Sequence, residues 1–109
     1  MSKPEPLAGG GGDLRNISKL AAIRIQHIAD RYQATIHLVG SRAAGTGSAL
    51  SDYDYVITGS HRIRNSAKYF LPRGPRVGLG AGIDIFPGPL DAEKPYITFV
   101  PDHTLPAEA

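Results

Sequence analysis

The chain contains no cysteine. That rules out a disulfide framework and a thiolate metal site without fixing a compartment. It has no apolar run near the ~18 residues of a membrane-spanning helix, and its first residues lack the apolar core of a signal peptide. Strong charge of either sign is missing too: the formal net charge is +2, so the distribution of charge says more than its sum. The four histidines, His27, His37, His61 and His103, stand at no metal-ligand spacing. No Ser/His/Asp constellation and no internal repeat is evident. What remains is 109 residues, 41% of them hydrophobic, enough for one domain with one small core.

Residues 1–12, MSKPEPLAGGGG, are rich in Pro and Gly and read as a flexible lead or linker. The domain is expected over residues 13–101, and residues 102–109 read as a frayed tail. Residues 13–32 predict a helix with Asp13 as N-cap. Its apolar stripe is Leu14, Ile17, Ala21, Ile25, Ile28 and Tyr32. Ile23 lies off that stripe.

Strands are predicted at Thr35–Val39, Tyr53–Thr58, Ile83–Phe86 and Tyr96–Val100. Gly40 to Ser51 is a loop with a helical turn near Ser41–Ala44. A short helix over residues 61–71 is stopped by Pro72-Arg73-Gly74-Pro75.

The chemistry concentrates in Ile36 to Ile57, IHLVGSRAAGTGSALSDYDYVI. Gly40 and Ser41 close an apolar run, and Asp52 and Asp54 open the next. Asp84 lies inside a later β-rich segment, GIDIF. Residues two apart in a strand share a face, so Asp52 and Asp54 project together while Tyr53, Tyr55 and Ile57 face the helix. Pairing of the two strands sets Asp84 beside them. Three carboxylates in one place repel unless a cation joins them, and all-oxygen ligands suit Mg2+ or Mn2+. Gly40 lets backbone approach an anion. The Ser41 hydroxyl and the amides that follow can donate to phosphate oxygens, and Arg42 can neutralise phosphate charge.

This pattern resembles the signature of minimal nucleotidyltransferases of the polymerase-β-like superfamily over about residues 14–100. The resemblance implies the minimal nucleotidyltransferase fold, α/β in the broad sense (α+β), with a short mixed β-sheet backed by helices. It also implies transfer of a nucleoside monophosphate from an NTP, such as ATP, to an acceptor hydroxyl, with pyrophosphate released. Gly40 and Ser41 match the triphosphate-binding pair, and Asp52 and Asp54 match the metal ligands. Asp84 matches the third acidic residue, which binds metal and helps deprotonate the acceptor. YFLPRG (69–74), GIDIFPGPLD (82–91) and KPYITFVP (94–101) are further similar to C-terminal toxin modules of bacterial polymorphic toxins. Such modules act in the cytoplasm of the target cell, delivered as part of a larger toxin, and are paired with an immunity protein.

Two other readings stand beside this one. The first is an antitoxin-type nucleotidyltransferase that modifies a partner toxin; such proteins continue into further helices beyond the third acidic residue. The second is a catalytically inactive nucleotide-binding or interaction module. For the acceptor, the basic segment of Arg62, Arg64, Lys68, Arg73 and Arg76 favours RNA, such as tRNA, over protein, because such residues contact phosphates. No membrane partner is expected.

Overall fold

A computed structural model describes residues 4–75 and 80–107. Arg76 and Gly78 lie outside the described residues. The described residues form five strands and three α-helices: β1 (Leu7–Gly9), α1 (Lys19–Tyr32), β2 (Ile36–Val39), α2 (Gly40–Ala44), β3 (Tyr53–Val56), α3 (His61–Lys68), β4 (Ile83–Phe86) and β5 (Tyr96–Phe99). The strands make one mixed sheet in the order β1-β5-β2-β3-β4. All neighbours are antiparallel except β3 and β4. That parallel pair requires a crossover, which the segment bearing α3 provides. The architecture is therefore α+β.

Strand alternation divides the sheet into two unlike faces. On one, Ile97, Leu38 and Tyr55 follow one another across β5, β2 and β3, flanked by Ile36, Phe99 and Ile83. All six are buried, and they pack with Ile25, Ile28 and Ala29 of α1 and Ala67 of α3 into the core. No helix of comparable length covers the other face. It carries two cross-sheet rows. One runs Leu7, Thr98, His37, Val56 and Phe86; the other runs Gly9, Tyr96, Val39, Asp54 and Asp84. The two site aspartates thus end a row on the open face, toward the β4 edge.

The structure departs from the sequence-based expectations in four places. Helix 13–32 is two elements: Asp13 caps a 3-10 turn at Leu14–Asn16, Ile17 is extended, and Ser18 caps α1 through its hydroxyl to Ala21 N at 3.0 Å. Asp13 cannot cap the longer helix because its carboxylate is spent on Arg15, from both its backbone N–H and its guanidinium. Residues 1–12 are not all linker, since β1 adds a short edge strand to β5. The tail is anchored at its start: Asp102 donates its N–H to Asp30 at 2.8 Å, and Gln33 donates to the Asp102 carbonyl at 2.9 Å. These bonds satisfy polar groups where α1 ends. Finally, α3 stops at Lys68, and Tyr69 to Leu71 continue as turns that bond back to Ser66 and Ala67.

Among the described residues, no helix is long and apolar enough to cross a membrane.

Candidate metal and phosphate site

Parallel pairing of β3 with β4 puts Asp54 and Asp84 opposite one another in register. Asp52 stands just before β3. Each of the three aspartates offers a carboxylate oxygen, and these oxygens all lie within 4.8 Å of one another. Asp52 and Asp84 are exposed and Asp54 is half-buried. Burial, then the Asp84 and Asp52 charges, push the Asp54 carboxyl above its ordinary range. Three hard oxygen donors converging from two adjacent strands and the lead-in to one of them fit a divalent cation of the Mg2+ or Mn2+ type.

The Gly40–Ser41 turn borders this cluster directly. Gly40 has φ +72, and a Cβ built there would stand 2.8 Å from Asp54 Oδ2. The glycine therefore makes room for the carboxylate as well as for any incoming anion. No side chain caps α2, so its first amides are open to an acceptor from outside the chain. Ser41 lines two cavities. One, of about 390 Å3, lies on the open sheet face and is largely apolar, with Val39, Val56, Leu90, Lys94 and Pro95 in its walls. The other, of about 240 Å3, is polar and includes Asn16, Arg42 and Ser48.

Several side chains act as scaffolding here. Arg42, expected at phosphate, instead donates to the Ser51 carbonyl at 2.8 Å and the Ala49 carbonyl at 3.3 Å, and its guanidinium lies 4.5 Å from the Tyr53 ring centre. It clamps the loop that delivers Asp52. Asn16 donates to the Ala43 carbonyl at 2.6 Å and pins the far end of α2. The buried Tyr55 hydroxyl donates to the Pro72 carbonyl at 2.7 Å, and burial raises its pKa strongly. Next to that bond, Gly74 packs so closely that a Cβ would meet the Ser51 carbonyl oxygen at 2.2 Å, while its N–H donates to Gly82 O at 2.9 Å. The 72–74 loop thus braces the entries to both β3 and β4.

The basic segment is split. Arg64 is a staple, donating to the Ile57 and Gly59 carbonyls at 3.2 and 2.8 Å. Arg62, Lys68 and Arg73 are exposed, and Arg73 also donates to the Lys68 carbonyl. Sequence reading missed Asn16, the Tyr55–Pro72 tie and the cavity walls at Leu90 and Lys94. None stands in a pattern that distinguishes it from ordinary loop or core residues. His37 meets Thr98 Oγ1 at 2.6 Å.

Comparison with protein-family models, curated proteins and solved structures finds no match.

Proposed function

We propose that the protein is a metal-dependent nucleotidyltransferase that moves a nucleoside monophosphate from an NTP to a hydroxyl on a macromolecule. The observation that carries this reading is the convergence of Asp52, Asp54 and Asp84 against a turn whose glycine touches Asp54 and whose serine opens into a cavity. At about 390 Å3 that cavity is in the range of small-molecule sites, and its apolar walls suit the base and sugar. The Ser41 hydroxyl and the uncapped amides of α2 hold the triphosphate.

The acceptor oxygen attacks the α-phosphorus, the bond from that phosphorus to the bridging oxygen of the β-phosphate breaks, and pyrophosphate leaves. Asp84, exposed at the β4 edge, receives the hydroxyl proton. A bound divalent cation supplies charge stabilisation for the leaving group and acidifies the hydroxyl. Asp52 and Asp54, with Asp84, would hold that cation, and Arg42 keeps the loop that delivers Asp52 in place.

The biological setting we favour is a bacterial toxin module whose action an immunity protein blocks. An antitoxin-type enzyme would use the same chemistry. Expression without a partner separates the two, since only the toxin arrests growth.

Each labelled NTP is incubated with the protein, Mg2+ and cell extract, and RNA and protein fractions are then resolved. Label is expected on one fraction with the wild type and on neither with Asp52→Asn or Asp54→Asn. Equal labelling by wild type and both variants would overturn the metal assignment.

A further inference from the structure

A third cavity, of about 450 Å3, is lined by Asn65, Lys68, Tyr69, Arg73 and Ala81. It is reached from the aspartates through backbone alone. Arg73 precedes Gly74, which lies against Ser51 and Asp52; Ala81 precedes Gly82, whose carbonyl accepts from both Tyr53 N at 3.0 Å and Gly74 N. Asp84 follows two residues later. The trough therefore starts one residue from each strand entry that carries the metal ligands, on the side of α3, away from the cavity beside Ser41.

Its chemistry differs from that of the Ser41 side. Tyr69 is 81% exposed, an extreme for a large aromatic in this chain. It stands just past the end of α3, with its backbone N–H tied to Ser66 O at 3.3 Å. Cations stand next to it at Lys68 and in the same trough at Arg73, and the Arg73 guanidinium is held across the end of the helix by the Lys68 carbonyl. Among the described residues, no carboxylate lines the trough. An exposed aromatic ring sharing a trough with two cations, and with no acid in the described lining to attract a basic peptide, is suited to stacking a base and holding the adjoining phosphates. The Asn65 amide, whose Nδ2 meets His61 Nε2 at 3.0 Å, adds a carbonyl oxygen able to accept from a ribose 2′-hydroxyl.

We infer that this trough is the acceptor subsite, and that it binds the end of a single-stranded RNA by stacking a base on Tyr69 and pairing phosphates with Lys68 and Arg73. The inference rests on the nucleotidyl-transfer reading for its role in turnover, but the binding itself does not need that chemistry. It gives the acceptor its class; the trough lies on the α3 side of the sheet, so the RNA end has to round the β4 edge to reach Asp84 on the open face.

The test is fluorescence anisotropy of a 5′-labelled single-stranded oligoadenylate RNA titrated with the full chain, without NTP or divalent cation. Tyr69→Ala is expected to weaken binding about 5- to 100-fold, while Tyr69→Phe retains it. Lys68→Glu with Arg73→Glu should weaken binding further and flatten its salt dependence. The DNA oligonucleotide of the same sequence should bind more weakly. Thermal melts of Tyr69→Ala should match wild type, because the side chain is exposed. Failure of the wild type to bind, equal binding by Tyr69→Ala, equal affinity for DNA, or label transferred to protein while RNA neither binds nor is labelled would each overturn the trough. RNA binding with the expected losses, but no pyrophosphate released with any NTP, would support the trough and overturn the chemistry instead.

Discussion

Gly40 opens α2 directly after β2, beside Asp54 on the adjacent β3, and each constrains the other. The positive φ at position 40 disfavours any side chain by about 1–2 kcal/mol, and a methyl there would also stand 2.8 Å from Asp54 Oδ2. Gly40→Ala should therefore destabilise the protein in two separable ways. Combined with Asp54→Ala, the contact disappears and only the backbone strain persists, so a double-mutant cycle by denaturant unfolding should return a coupling of about 0.5–3 kcal/mol. Additive costs would mean that the turn moves away from the carboxylate without resistance. The importance of Gly40 was legible because Gly-Ser closes an apolar run. Its steric partner was not, because the Val39–Asp54 register depends on pairing fifteen positions apart in the chain. Arg42 shows the converse. Its place after Gly-Ser marks it for phosphate, yet the carbonyls of Ala49 and Ser51 lie within its reach. Sequence spacing cannot weigh a loop carbonyl against a ligand.

At the scale of elements, strands and their facing were readable because alternation is local. Tyr53, Tyr55 and Ile57 were expected to face away from Asp52 and Asp54; Tyr55 and Ile57 are fully buried and Tyr53 packs partly against the core. Ile83 is likewise buried beneath Asp84. The edge strand β1 was hidden because Leu-Ala-Gly has little strand preference of its own; its pairing with β5 depends on a partner almost ninety residues away. The N-terminal helix was misjudged because its apolar spacing runs through a break. Leu14 and Ile17 keep the three-residue rhythm, but the extended backbone at Ile17 separates a 3-10 turn from α1. Two residues compete for the cap, and the structure assigns it to Ser18. Ser18→Ala should cost about 1 kcal/mol of stability, read as a lower unfolding midpoint. Asp13→Ala should cost α1 nothing, since its bonds are to Arg15. A larger loss from Asp13→Ala would restore the single-helix reading. Leu20 and Ile23, 66% and 60% exposed, remain on the solvent side of α1 without a packing role in the fold.

At the scale of the whole molecule, the open sheet face holds two groups that titrate in opposite senses. Burial and then the charges of Asp84 and Asp52 raise Asp54 above 3.8, so without a cation the folded protein holds that proton more tightly than the unfolded chain. Its stabilising contribution is complete below 3.8 and is lost as pH rises through the raised value. Burial lowers His37 below 6.5, so the unfolded chain binds that proton more tightly. Its contribution is complete above 6.5 and is lost as pH falls toward the lowered value. Acidification from neutral pH therefore removes stability through His37 while relieving the repulsion at Asp54. His37→Gln should flatten the first change and Asp54→Asn the second. Magnesium competes with a proton for the Asp54 carboxylate, so the increase in melting temperature it produces should grow as pH rises through the raised Asp54 value. Asp54→Asn should be more stable than wild type at neutral pH in metal-free buffer and should lose most of the magnesium effect. Melts at several pH values, with Mg2+ and with chelator, measure both. A magnesium shift independent of pH, or equal in wild type and Asp54→Asn, would mean that the aspartates repel one another in the folded protein without serving as a cation site.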